Sequence, residues 1–282
     1  MNWGDWGKQL SKQDMISLMH RCLENDITTF DHADIYGGFQ CEAVFGSALS
    51  LDKSLRDKIQ IVTKCGIQLV AQNRPDTYIH HYNTTKEYII WSAENSLKML
   101  RTDYIDLLLV HRPDPLMDAD EIASAFVALK QAGKIRHFGV SNFTTSQFEL
   151  VQSRLDFPLI TNQVEFSVLQ MAPLNDGVFD LCQQRRIAPM AWSSFAGGRI
   201  FSGSDDQAGR VKAKLESIAE AHHAKIDQIA LAWILKHPVN VLPILGTGKL
   251  DRIKSAVESL NIDLTHQEWF SLWEASMGHE VP

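Results

Sequence analysis

From residue 104 to residue 111 the chain reads Tyr-Ile-Asp-Leu-Leu-Leu-Val-His, a nearly continuous apolar run. A parallel strand buried on both faces requires a run of that kind. Working outward, Thr84 to Leu100 is a long amphipathic helical segment, entered through Thr-Thr-Lys-Glu, a capping pattern. On the other side Asp120 to Gln131 reads as helix, with Gly133 as its stop. Strand, helix and strand in succession predict a parallel α/β unit.

The same alternation extends to both ends. Toward the N-terminus, Ser11 to Asn25 reads as helix, Ile27 to Asp31 as strand, Glu42 to Leu49 as helix and Ile59 to Lys64 as strand. Toward the C-terminus, the strands are Ile135 to Ser141, Leu159 to Val164, Ile187 to Trp192 and Val241 to Leu245. Helices are expected at Thr144 to Ser153, Asp176 to Arg185, Val211 to His223, Ile226 to His237, Leu250 to Ser259 and Thr265 to Ser276. Repetition without a break in composition predicts one α/β domain over residues 1–282, of the (β/α)8 TIM-type barrel class. Seven strands are legible rather than eight, because the chain opens on a helix with no strand before it.

Composition sets the outer bounds. The 282 residues are 45% hydrophobic and 22% charged, ordinary for a globular chain with one large core. A formal charge of -7 argues against a surface built for nucleic acid or anionic lipid, while leaving room for a local basic phosphate pocket. Cys22, Cys41, Cys65 and Cys182 form no CxxC pair, which fits a reducing compartment. No apolar run approaches the roughly 20 residues that span a bilayer, and the first residues lack the pattern of a signal peptide. The expectation is a cytoplasmic protein with neither membrane nor nucleic acid as partner. Oligomeric state is not legible.

Polar residues gather at the ends of the expected strands: Asp31, Lys64, His111, Ser141-Asn142, Asn162-Gln163 and Ser193-Ser194. In a parallel barrel all strand C-termini open on one face, where active sites are assembled. One such residue is ordinary. Their recurrence on almost every strand predicts a shared polar site, since a buried Lys or Asp is costly unless paired. Other motifs are missing: there is no GxGxxG, Walker A or HExxH pattern, and the tandem pairs His80-His81 and His222-His223 are poor metal ligands. No metal is expected.

These segments resemble the aldo-keto reductase family. Phe30-Asp-His-Ala-Asp-Ile-Tyr-Gly-Gly38 is similar to the family signature with catalytic Asp and Tyr at a D-x4-Y spacing. Ile61-Val-Thr-Lys-Cys65 resembles the strand of the catalytic Lys, and Leu107-Leu-Leu-Val-His-Arg-Pro-Asp114 the strand ending in the catalytic His. Gly139-Val-Ser-Asn-Phe143 and Asn162-Gln-Val-Glu165 resemble the segments that hold the nicotinamide. All five occur in order at barrel-repeat spacing. Among subgroups the resemblance is to a bacterial oxidoreductase branch, without the N-terminal hairpin and the first barrel strand.

The resemblance implies an NADP(H)-dependent oxidoreductase that reduces a small-molecule carbonyl, an aldehyde, ketone or quinone. Tyr36 would be the general acid, Lys64 its electrostatic partner, Asp31 the anchor of Lys64, and His111 the group that orients the carbonyl oxygen. A phenol with an ordinary pKa near 10 is a sluggish acid at neutral pH, and a neighbouring ammonium is expected to lower that pKa. Ser141, Asn142 and Gln163 match positions that bind the carboxamide. Trp192 stands where the family has an aromatic on the nicotinamide ring, with Ser193 beside it; a core aromatic is the other reading. Gly246-Thr-Gly-Lys-Leu-Asp-Arg252 resembles the adenosine-phosphate segment, with Thr247 and Arg252 on the phosphate and Lys249 a further candidate. A helix N-terminus with ordinary surface charges is the alternative there. An Arg fork suits a 2′-phosphate, which favours NADP(H) over NAD(H). Specificity is assigned to the loop after Lys64, with Tyr78, His80, His81 and Tyr82, and to the loop from Phe195 to Gln207. The rival function is a nucleotide-binding regulatory or partner protein with little turnover.

Overall fold

The computed structural model describes Trp3 and residues 9–280. The place where a strand ahead of the first helix would fall, residues 1–8, lies outside the described residues except for Trp3. The chain divides into two compact units, Met1–Asn162 and Gln163–Pro282.

In the first unit, β1 (Thr29–Asp31), β2 (Gln60–Cys65), the short strands β3 (Ile67–Gln68) and β4 (His81–Tyr82), β5 (Ile105–Val110) and β6 (Ile135–Ser141) follow one another. β1, β2, β5 and β6 form a parallel sheet in that order. Its register aligns Asp31 with Val62, Lys64 with Leu109 and Leu109 with Gly139. β3 and β4 form a separate antiparallel hairpin, with Ile67 opposite Tyr82. β7 (Leu159–Glu165) spans the division between the units.

Every residue of β5 is buried, as the apolar run requires of a strand covered on both faces. Its one acid, Asp106, is paired at the N-terminal end. It accepts from Ile61 N at 2.9 Å, Arg56 Nη2 at 2.7 Å and Arg136 Nη1 at 3.3 Å. Both guanidinium groups also stand 3.7 Å from the centre of the Tyr104 ring. Helices alternate with the strands. Lys86–Leu100 begins at Thr85, whose hydroxyl accepts from Tyr88 N, and ends at Arg101 in the left-handed conformation. Ala119–Gln131 begins at Asp118 and stops before Gly133, whose φ of 68° a glycine adopts without penalty.

The second unit carries the rest of β7, β8 (Met190–Trp192) and β9 (Leu242–Pro243), paired in parallel with Ala191 between Val164 and Pro243. Its helices enclose a core around Phe166, Phe179, Trp233 and Leu215. Each large apolar side chain fully buried there contributes about 1.5–3 kcal/mol. Trp233 stacks on Trp269 at 4.9 Å, and each indole N–H donates to the other residue's carbonyl at 3.0 Å. Among the described residues no helix is long and apolar enough to cross a membrane.

Candidate active site

The parallel register of the first unit sends the C-terminal ends of β1, β2, β5 and β6 to one edge of the sheet. Asp31 is the last residue of β1, Lys64 the penultimate residue of β2, His111 the residue after β5, and Ser141 the last residue of β6. Tyr36 follows β1 by five residues, at the start of a tight helical turn.

The Lys64 side chain is completely buried and its ammonium has three oxygen partners. It donates to Asp31 Oδ2 at 2.7 Å, to the His32 carbonyl at 2.6 Å and, over a longer 3.3 Å, to the Tyr36 hydroxyl. Burial alone would pull the ammonium toward neutrality, but Asp31 and Tyr36 outweigh it and the net direction is up. Lys64 is thereby held as a buried cation. Asp31 was expected as its anchor; the His32 carbonyl was not.

For Tyr36 the balance differs from expectation. Burial pushes the phenol up and dominates, while Lys64 pulls it down against that push. The ammonium thus limits a rise that desolvation causes, and the phenol stays protonated at neutral pH. The Tyr36 and His111 rings meet edge to face with centroids 6.0 Å apart. Burial holds the His111 imidazole down at about 2, with Lys64 and Arg112 acting in the same direction, so the ring is neutral. Asn142 Nδ2 donates to the His111 carbonyl at 3.3 Å and to Ser141 Oγ at 2.8 Å. Its φ of 61° lies in the left-handed region, which asparagine tolerates better than most residues. Asp31, Tyr36, Lys64, His111, Ser141 and Asn142 are thereby linked in one continuous contact network.

The other candidates belong to the second unit. Gln163 is buried on β7, with Nε2 3.8 Å from Met190 Sδ. Half-buried Trp192 ends β8 opposite Glu165, and Ser193 follows it with a φ of 54°. Thr247 Oγ1 accepts from Lys249 N at 3.1 Å, immediately before the helix Leu250–Glu258. That helix has no side-chain cap at its N-terminus, and Lys249 and Arg252 are exposed beside it.

The Aldo/keto reductase family profile matches residues 1–276. The chain belongs to this family. It is 50% identical over 279 residues to the oxidoreductase YdhF of Escherichia coli (strain K12), spanning 99% of this chain and 92% of that one. It is 44% identical over 260 residues to the 6-dehydroglucose reductase of Agrobacterium fabrum, spanning 92% and 86%. An aldo/keto reductase from Klebsiella pneumoniae, solved in complex with NADP and acetate, superposes with a TM-score of 0.73 at 26% identity, over 93% of this chain and 84% of that one. This aldo-keto reductase is an oxidoreductase, and its α/β fold is of the TIM-barrel class read from the sequence.

Behind Lys64 this aldo-keto reductase holds a buried polar cluster that nothing in its sequence announces. Thr63 Oγ1 donates to Glu42 Oε1 at 2.5 Å, and Ser92 Oγ donates to Asp34 Oδ2 at 2.9 Å. Among the described residues, Asp34 Oδ1 and both ring nitrogens of His32 have no hydrogen-bond partner. The His32 ring packs edge-on against Phe45 at 4.4 Å. Burial, reinforced by repulsion from Glu42, pushes the Asp34 carboxyl up to about 8.

An acid raised in the folded state weighs against folding as pH climbs. Below the unfolded value near 4 Asp34 is protonated in both states and has no effect. Between that value and about 8 only the unfolded chain releases the proton, so stability falls across that window. Asp34→Asn is therefore expected to raise unfolding free energy at pH 8 by on the order of a few kcal/mol, with the gain vanishing near pH 4. Urea unfolding of both proteins across this range checks it, and a pH-independent difference would contradict the assignment.

Proposed function

We propose that this aldo-keto reductase uses NADPH to reduce an aldehyde, ketone or quinone carbonyl, with Tyr36 as the general acid. The observation that carries this reading is the buried Lys64 ammonium, shared among Asp31, the His32 carbonyl and the Tyr36 hydroxyl. Such an arrangement suits a phenol that must give up its proton and then exist briefly as an anion. When bound, the reduced nicotinamide supplies a hydride to the carbonyl carbon.

The protein's part is placement and proton delivery. Neutral His111, in the tautomer with the proton on Nε2, donates a hydrogen bond to the substrate oxygen and turns it toward Tyr36. As charge develops on that oxygen, Tyr36 passes it the phenolic proton. Lys64 stabilises the resulting phenolate at close range in a medium of low dielectric. Asp31 and the His32 carbonyl keep the ammonium charged and aimed. Ser141 and Asn142 are assigned to the nicotinamide carboxamide, and so is Gln163. Trp192 and Ser193 are assigned to the nicotinamide ring side.

The residues present fit a phosphorylated dinucleotide. The first turn of the helix Leu250–Glu258, with no side-chain cap from Lys249, presents its backbone N–H groups to a phosphate. Thr247, Lys249 and Arg252 supply a hydroxyl and two cations around it. The NADP held by the Klebsiella pneumoniae relative supports the same choice. Arg252→Ala is expected to weaken NADPH binding about 10-fold or more while changing NADH binding little, since a charge-assisted hydrogen bond is worth about 1.5–3 kcal/mol. Titration by tryptophan quenching measures both affinities. An equal effect on the two nucleotides would remove Arg252 from the 2′-phosphate. The 44% identity to a 6-dehydroglucose reductase supports a polyhydroxylated aldehyde as the first substrate to test.

A further inference from the structure

We propose that Arg74 and Asn73, on the loop between β3 and β4, are positioning residues that hold Tyr36 in range of Lys64. The proposal rests on the reading of Tyr36 as the acid and adds residues that touch neither substrate nor cofactor.

The backbone that follows Tyr36 makes an external support necessary. Gly37, Gly38 and Phe39 have φ values of 58°, 62° and 68°, three left-handed residues in succession. Glycine enters that region freely. Phenylalanine does not, because its Cβ crowds the following carbonyl oxygen. The backbone hydrogen bonds of the turn are long: Tyr36 N to Ala33 O at 3.2 Å, Phe39 N to Ile35 O at 3.4 Å and Gln40 N to Tyr36 O at 3.2 Å. Two glycines and one disfavoured residue give the turn little conformational preference of its own.

The loop after Lys64 supplies what the turn lacks. It leaves β2 within two residues of Lys64, and Asn83 N donates back to Gly66 O at 2.9 Å to close its base. Near its tip a tight turn brings Arg74 N to Ala71 O at 2.9 Å. From there Asn73 Nδ2 donates to the Gly38 carbonyl at 3.0 Å. The Arg74 guanidinium lies over the Phe39 ring at 4.5 Å and over the Trp91 ring at 4.6 Å. Trp91 belongs to the helix Lys86–Leu100, so the arginine ties Phe39 to a rigid element. A planar cation between two aromatic faces is a favourable contact for arginine in particular. The clamp therefore acts on the one residue of the turn whose conformation is disfavoured. The same polypeptide loop begins beside the cation and ends its reach on the turn of the acid, which couples the Lys64–Tyr36 distance to the loop.

The test uses the full chain with NADPH and an aromatic aldehyde, and follows kcat, KM and their pH profiles for Arg74→Ala, Arg74→Lys and Asn73→Ala. A misplacement of about 1 Å can lower a rate on the order of 100-fold, so Arg74→Ala is expected to lose between about 10- and 100-fold in kcat. The pH at which reduction falls off should also move upward, because a displaced Tyr36 loses the downward pull of Lys64. KM, NADPH affinity and the unfolding midpoint should change little, and Arg74→Lys should recover part of the rate. A wild-type kcat and pH profile in Arg74→Ala would overturn the proposal. So would a loss of kcat that runs in parallel with lost NADPH binding and lost stability. Should Arg74→Ala fail to fold, Asn73→Ala decides, because it removes one hydrogen bond from an exposed side chain. A several-fold fall in its kcat is expected, and none would overturn the clamp. Tyr36→Phe is run beside them: if it keeps its rate, the acid assignment has failed, whereas an inactive Tyr36→Phe with a normal Arg74→Ala isolates the failure to the clamp.

Discussion

Tyr36→Phe lowers the rate of carbonyl reduction about 10²- to 10⁴-fold, the range expected when a positioned general acid is removed. The substitution deletes one oxygen and leaves the ring that meets His111 edge to face. Its contact with Lys64, at 3.3 Å, is the longest of the three the ammonium makes. Stability should therefore fall by no more than about 1 kcal/mol, and NADPH should still bind. Loss of turnover with retained cofactor binding separates an acid from a structural residue. In the parent enzyme, reduction should decline as pH rises through the Tyr36 pKa, which burial has pushed up, because only the protonated phenol can donate. A variant that reduces aldehydes at the parent rate would remove Tyr36 from the chemistry.

Lys64→Met is expected to affect both rate and fold. Methionine is close to lysine in volume, so packing is largely kept while the cation is lost. Asp31, its side chain only 12% exposed, then loses its Lys64 partner, and removing one partner of a buried ion pair costs about 3–5 kcal/mol. Tyr36 also loses the group that most strongly opposes the desolvation of its anion, leaving only the weaker pull of Arg112 in the same direction, so reduction should slow by on the order of 10²-fold or more. Adding Asp31→Asn tests whether the two effects are separable. The double variant has no carboxylate deprived of Lys64 and should regain much of the stability, measured by urea unfolding, without regaining activity. Recovery of activity with stability would show that Lys64 serves the fold alone.

The features that sequence made legible are those set by periodicity or by strand position. The run through Leu107, Leu108 and Leu109 is of the kind a doubly covered strand requires, and β5 is entirely buried. Polar residues at the ends of neighbouring strands were legible as a site because a parallel sheet sends those ends to one edge. In the first unit Asp31, Tyr36, Lys64, His111 and Asn142 do meet there. What stayed illegible has a physical reason in each case. β3 and β4 are two residues each, too short for alternation to register. Asp34 and Glu42 look in sequence like any surface acids, and only the folded chain shows them buried. The His32 carbonyl that holds Lys64 is a backbone atom, to which residue type is blind. Gly37-Gly38 announced a turn, but nothing in the sequence says that Phe39 shares its left-handed conformation or that Arg74 reaches it. The direction of the Tyr36 shift depended on burial against the charges of Lys64, Asp31 and Arg112, a balance that residue identities do not set.

The most direct test of the central claim is steady-state turnover of the purified chain on a panel of aldehydes and ketones, sugar aldehydes included, followed by the loss of reduced nicotinamide fluorescence with NADPH and, in parallel, NADH. Saturable carbonyl-dependent oxidation of NADPH, at least about 10-fold more efficient than with NADH, is the predicted result. A cooperatively folded chain that binds neither nucleotide and oxidises neither would contradict it.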